Sequence, residues 1–241
     1  MTTFVLVHGA WQGPSTWDLV TPLLESKNHR VLPATLSGLG PRRYELSQEL
    51  SLEHHVNDIV GLFEYEDLGG AVLVGHSYAG SVITAAAERV GRRVKALVYV
   101  DAFVPKDGQA TLQLLPDPVR EAIKGMAKTQ GDGWRLPGGD HLLDLWGLKP
   151  GPARDFVRKK LCDFSIRFFE SIIRVPAAAA EHLKRAYISC VGEGYPAGAA
   201  FAPFARVAKQ EKWPYLELPT GHDCHVERPR DVAEFLMAQS D

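Results

Sequence analysis

Short apolar runs that alternate with helix-period segments, and a serine framed by small residues where one such run meets a helix, predict an α/β enzyme whose core is a mostly parallel sheet of about six strands with helices on both faces. Its 241 residues suit one α/β domain of this size, so a single unit spanning 1–241 is expected.

The elements follow in order. Thr3 to His8 reads as a first buried strand and Arg30 to Ala34 as a second. Val56, Ile59, Val60 and Phe63 then fall on one face of a helix that also carries His54 and His55. Ala71 to Gly75 is a strand, and Val82, Ile83, Ala86 and Val90 mark the helix behind it. Val94 to Val100 is the fourth strand. The alternation then breaks from about Pro105 to Ala180, far longer than an ordinary crossover, and that stretch holds Trp134 and Trp146. Asp117 to Lys128 and Ala153 to Ile173 read as helices within it, so the insertion is expected to form a helical cap over the carboxyl ends of the strands. The alanines at 177–180 either end the cap or continue a helix, and His141 and His182 fall to the cap. Ala186 to Val191 and Tyr215 to Leu218 complete the strands, and Val232, Phe235 and Leu236 define a last helix with Pro229 in its first turn.

Composition narrows the partner. A hydrophobic share of 45% and a charged share of 23% are ordinary for a soluble protein, and a net charge of −2 offers no field to gather nucleic acid or anionic lipid. The expected partner is a small neutral molecule, and no membrane-length apolar run occurs. A strand already under way at Phe4 leaves no room for a secretory leader, so the cytoplasm is the expected compartment. Cys162, Cys190 and Cys224 are odd in number and far apart, which argues against a disulfide framework or a zinc site.

The chemistry gathers at three places. Ala71-Val-Leu-Val-Gly75-His76-Ser77-Tyr78-Ala79-Gly80 is a strand, a tight turn and the start of a helix. Such a turn lifts its serine above the sheet and demands small neighbours, which Gly75, Ala79 and Gly80 supply, with Ala79 a one-methyl departure from G-x-S-x-G. Ser77 is therefore the candidate nucleophile. The first strand ends in His8-Gly9-Ala10-Trp11, where the Ala10 N–H can join that of Tyr78 to hold an oxyanion. Ser77 needs a base, and Gly221-His222-Asp223-Cys224-His225 follows the last strand. His222 lies nearer the strand end and is preferred over His225.

Taken together, Phe4 to Trp11, Trp17, the elbow at 75–80 and Gly221-His222-Asp223 resemble the small α/β-hydrolases of the plant methylesterase and hydroxynitrile lyase group and their bacterial esterase relatives. The resemblance covers both ends of the core and is poor through the cap. It implies an α/β-hydrolase fold, a triad with Ser77 and His222, oxyanion donors at Ala10 and Tyr78, and no cofactor. In the family the acid stands shortly after the penultimate strand, where this chain reads Cys190-Val-Gly-Glu193, so Glu193 is the expected acid in place of the usual aspartate. Asp101, in a stretch that bacterial relatives share, is the alternative, since it also follows a strand at the carboxyl edge.

The expected activity is hydrolysis of a carboxylic ester or related acyl bond of a small apolar or aromatic substrate through an acyl-enzyme, with Trp11, Trp134 and Trp146 as expected pocket walls. Two rivals stand beside it. A cyanohydrin-cleaving lyase would use the same serine and histidine, but those lyases carry a threonine where Gly9 stands and a lysine where Asp223 stands. A ligand receptor or pseudoenzyme of the same fold would need no turnover at all.

Overall fold

The computed structural model describes residues 1–175 and 183–240. The strands are β1 (Thr3–Val7), β2 (Arg30–Ala34), β3 (Ala71–His76), β4 (Val94–Val100), β5 (Arg135–Leu136), β6 (Phe164–Ser165), β7 (Lys184–Cys190) and β8 (Tyr215–Leu218). Six of them form one sheet in the order β2-β1-β3-β4-β7-β8, every pair parallel, while β5 and β6 make a separate two-residue antiparallel ribbon. All six strands expected from the sequence are present, with ends moved by two residues or fewer.

Side-chain alternation divides each strand between two cores. Val5, Val7, Leu73, Leu97 and Tyr187 join one, against α2 (Leu52–Tyr65), α3 (Ala79–Val90) and α9 (Gly198–Gln210). Phe4, Leu6, Val72, Val74, Val98 and Ile188 join the other, against α1 (Thr21–Glu25) and α11 (Pro229–Met237). Both faces are therefore covered, which is why β3 is buried along its whole length. Each fully buried Val, Leu, Ile or Phe in these cores contributes about 1.5–3 kcal/mol of apolar burial. Pro229 stands in the first turn of α11 as expected.

Between β4 and β7 lie α4 (Thr111–Leu114), α5 (Asp117–Gln130), α6 (Asp140–Leu145), α7 (Pro152–Arg158) and α8 (Ile166–Glu170), with the ribbon among them. The helix expected from Ala153 to Ile173 is in fact α7 and α8, broken by β6. The break has local causes: the Cys162 N–H leaves any helical ladder to donate to the Trp11 carbonyl at 2.8 Å, and the Ser165 hydroxyl caps Arg167 N–H at 3.3 Å. The expected end of the cap at Ala180, the alanines at 177–180 and His182 lie outside the described residues. The sequence reading also missed α9, whose Gly198, Pro203 and run of alanines hide its apolar face of Phe201, Phe204 and Ala208. Short α10 (Cys224–Glu227) follows His222.

Candidate active site

The parallel sheet delivers four loops to one edge, the carboxyl ends of β1, β3, β4 and β8. Three residues there have left-handed backbone: Trp11 (φ 60), Ser77 (φ 57) and Asp101 (φ 44). A non-glycine residue in that region costs about 1–3 kcal/mol, a strain that persists only where surrounding structure enforces it. Here the enforcement is visible. Ser77 N–H donates to the Val100 carbonyl at 3.1 Å, its own carbonyl accepts from Gly80 and Phe103, and Asp101 N–H donates to the Ile188 carbonyl at 2.7 Å.

The elbow tolerates no bulk. A Cβ on Gly75 would stand 2.8 Å from the Ala79 carbonyl oxygen, and one on Gly80 would stand 2.0 Å from that of Phe103. Small residues at these positions are what let the serine turn sharply into α3, whose amino terminus favours negative charge beside Ser77. Among the described residues neither the Ala10 nor the Tyr78 backbone N–H has a protein acceptor. The Tyr78 ring is held behind them by His55, whose Nε2 donates to the Ser37 carbonyl at 2.8 Å and whose Nδ1 accepts from the phenol at 3.0 Å.

His222 and Ser77 line one cavity of about 110 Å³. The imidazole is buried among rings, 4.7 Å from Phe201 and 5.9 Å from Trp146 between centroids. Its backbone is fixed from two sides: the N–H donates to the Trp146 carbonyl at 2.8 Å, and the carbonyl accepts from His76 Nε2 at 3.0 Å. His225 does not reach the cavity and instead packs on Trp17, with centroids 4.4 Å apart.

The carboxylate against the imidazole belongs to Asp101, not to Glu193. Asp101 Oδ2 lies 2.7 Å from His222 Nδ1, both side chains being 1% exposed. Its Oδ1 accepts from the Cys190 N–H at 3.2 Å. The neighbour relations behind the Glu193 expectation do hold, since β7 adjoins β8 and β4 adjoins β3. The loop after β7, however, turns Glu193 out to solvent and brings Tyr195 inward, with Oη 2.6 Å from Asp101 Oδ2 and 2.8 Å from His222 Nδ1. Tyr195 was missed in the sequence; an aromatic between Gly194 and Pro196 in a loop at the carboxyl edge was the available signal.

Beyond Ser77 and His222 the cavity walls are apolar, chiefly Trp11, Phe103, Val119, Ile123, Trp146, Phe169 and Phe201, and among the described residues no Asp, Glu, Lys or Arg lines it. The walls come from both the sheet edge and the insertion. Trp11 is tied to the insertion through its Nε1–H, which donates to the Leu136 carbonyl at 2.9 Å. Trp134, expected beside Trp11 and Trp146, is not part of the lining. Its carbonyl is engaged with Ile166 N–H at the root of the ribbon.

Burial keeps the supporting histidines neutral: it lowers His8 to about 4, His55 to about 3 and His225 to about 3, and holds His76 well below its ordinary value. Burial likewise raises the Asp223 carboxyl, which accepts from Gln12 Nε2 at 2.6 Å. Among the described residues His76, Asp223 and His225 form a buried group with donor atoms within 4.8 Å of one another. Within it His225 Nε2 stands 3.9 Å from Asp223 Oδ1. The group sits behind His222 and none of its members lines the cavity. No helix among the described residues is long and apolar enough to cross a membrane.

Known proteins share this architecture. The model of the alpha/beta hydrolase family matches residues 4–235. A carbendazim hydrolyzing esterase from Nocardioides sp. (strain SG-4G) is 32% identical over 99% of this chain and 99% of its own. An alpha-hydroxynitrile lyase from Arabidopsis thaliana is 36% identical over 42% of this chain and 40% of its own, and methylesterase 8 of the same plant is 32% identical over 42% of this chain and 38% of its own. Among solved structures, an extracellular alpha/beta-hydrolase from a Paenibacillus species superposes with a TM-score of 0.85 at 22% identity, covering 99% of both chains.

Proposed function

The chain belongs to the alpha/beta hydrolase family, and from that premise we propose that it is a serine hydrolase acting on a carboxylic ester, or a related acyl bond, of a small apolar or aromatic substrate. The observation that carries the reading is the 2.7 Å contact between Asp101 and His222 Nδ1 behind an imidazole that shares its cavity with Ser77. A carboxylate on Nδ1 fixes the tautomer that leaves a lone pair on Nε2, which is the requirement for a base toward the serine hydroxyl.

In this reading His222 Nε2 takes the Ser77 proton as Oγ attacks the substrate carbonyl carbon. Charge develops on the carbonyl oxygen, where the N–H groups of Ala10 and Tyr78 stabilise it. Collapse of the tetrahedral adduct breaks the bond to the alcohol oxygen, which receives the proton from imidazolium. Water then repeats the sequence against the acyl-enzyme, releasing the acid and restoring Ser77. We read the insertion as the cap that excludes water and selects substrate, because its Leu115, Val119, Ile123 and Trp146 supply one wall of the cavity. A lining without carboxylates or ammonium groups favours an uncharged substrate.

The lyase alternative fits less well. The residue after the histidine, Asp223, is fully buried on Gln12 rather than directed into the cavity, and a side chain at position 9 would press on His76 Nδ1 at 2.9 Å. The test combines covalent labelling with turnover. A fluorophosphonate should label the protein once, at Ser77, and Ser77→Ala should abolish both labelling and ester hydrolysis while leaving the melting temperature within a few degrees. Esters of graded acyl and alcohol size, carbendazim and mandelonitrile make up the substrate panel. Folded protein that neither labels nor turns over any ester would transfer the weight to the receptor reading, and cleavage of mandelonitrile alone to the lyase.

A further inference from the structure

We propose that Tyr195 is a positioning residue of this site, its hydroxyl bonding Asp101 so as to set both the orientation and the basicity of His222; the proposal rests on the serine hydrolase reading. Tyr195 Oη, Asp101 Oδ2 and His222 Nδ1 form a triangle with sides of 2.6, 2.7 and 2.8 Å. With Asp101 ionised, Oδ2 has lone pairs for two donors and takes both the Nδ1–H and the phenolic O–H, which leaves the Oη–Nδ1 side of the triangle without a proton of its own. With Cys190 N–H on Oδ1, the carboxylate is then held by three donors.

The phenol is seated, not incidental. Gly194 (φ 77) turns the loop after β7 inward. A Cβ on Gly147 would stand 2.9 Å from Tyr195 Cα, and one on Gly198 would stand 3.1 Å from its ring. The ring lies nearly parallel to the imidazole, 5.8 Å away at 25°. Burial, and next the charge of Asp101, push the phenol well above its ordinary value, so it stays a donor throughout the working range. The loop expected to carry the acid thus contributes a hydrogen-bond donor to an acid carried by the neighbouring strand.

The chemical consequence concerns the base. A second donor on Oδ2 draws off part of the carboxylate charge that would otherwise stabilise imidazolium, so Tyr195 lowers the basicity of His222. The other titratable groups facing the imidazole are His76 from β3, Cys190 from β7, and Asp223 and His225 beside α10. A change at Tyr195 leaves them in place.

Tyr195→Phe removes one oxygen and keeps the ring. On one good ester we expect kcat to fall about ten- to a hundredfold, because Asp101 and the imidazole lose the fixed orientation that outweighs any gain in basicity, with KM within about twofold. The acid limb of the pH profile should move to higher pH, and the proton resonance of His222 Nδ1–H should shift from its wild-type position. Tyr195→Leu, which also loses the ring, should show the same displaced limb with lower kcat. An unchanged pH profile and Nδ1–H resonance in Tyr195→Phe, whatever its melting temperature, would overturn the proposal. Wild-type protein that fails to label at Ser77 would instead sink the hydrolase reading, and the Nδ1–H comparison would still decide whether Tyr195 bonds Asp101.

Discussion

Replacing Asp101 by asparagine changes one atom and should disable the base. The side chain sits 1% exposed with Oδ2 2.7 Å from His222 Nδ1, so no water can substitute for the lost charge. The orientation of the new amide is decided on the other side, where Cys190 N–H donates to Oδ1 at 3.2 Å. The amide oxygen stays there, because the Cys190 N–H is fixed in the backbone, whereas the Tyr195 hydroxyl beside the other atom can rotate to accept from the NH₂ group. The NH₂ is therefore turned toward Nδ1, which becomes an acceptor, and the ring proton moves to Nε2, where the lone pair is needed. Trapping the wrong tautomer in a serine triad costs about 10⁴ in kcat, or about 5.5 kcal/mol of transition-state stabilisation. Glu193→Gln, at an exposed position, should stay within about twofold of wild type. Both variants are to be compared by kcat and kcat/KM on one ester and by the rate of fluorophosphonate labelling, with melting temperature as the folding control. Asp101→Asn within tenfold of wild type, or a collapse in Glu193→Gln, would refute the assignment.

The cavity makes a second prediction: Trp146→Ala should raise kcat/KM for bulky over small acyl groups by about tenfold, while Trp134→Ala leaves that ratio unchanged, since only Trp146 is part of the lining. Equal effects of the two on the ratio would contradict the wall described here. The buried histidines make a third. With folded values of about 4 for His8 and about 3 for His55 and His225 against 6.5 unfolded, these groups take up protons only on unfolding as pH falls through 6.5. Stability is therefore lost on acidification, by on the order of 5 kcal/mol between pH 7 and 5, with His76 adding in the same direction and the raised Asp223 opposing. Urea midpoints at the two pH values measure this, and equal midpoints would show that the histidines are not buried neutral.

Periodicity and local sterics were enough to read the sheet, the elbow and the loop that carries His222. Strands buried on both faces must be apolar throughout, and a serine at a sharp strand-to-helix turn must have glycine or alanine about it, so β3 and residues 75–80 announce themselves. His222 was legible for a similar reason, being the first polar group after the last strand and its glycine. Sequence spacing could not tell which carboxylate meets His222. Glu193 and Asp101 both follow strands at the same edge, and the choice depends on which way two loops turn, a matter of Asp101 at φ 44, Gly194 at φ 77 and the contacts that hold them. Nor could it separate Trp146 from Trp134, since which face of the insertion meets the cavity follows from how α5 to α8 pack on Trp11 and the sheet edge. By itself the sequence determined the six strands of the sheet and the placement of Ser77 and His222 at its carboxyl edge. Tertiary structure decided the rest, because the contacts of Asp101, Tyr195 and the cavity wall are defined by distances of a few ångströms between segments some 30 to 120 residues apart.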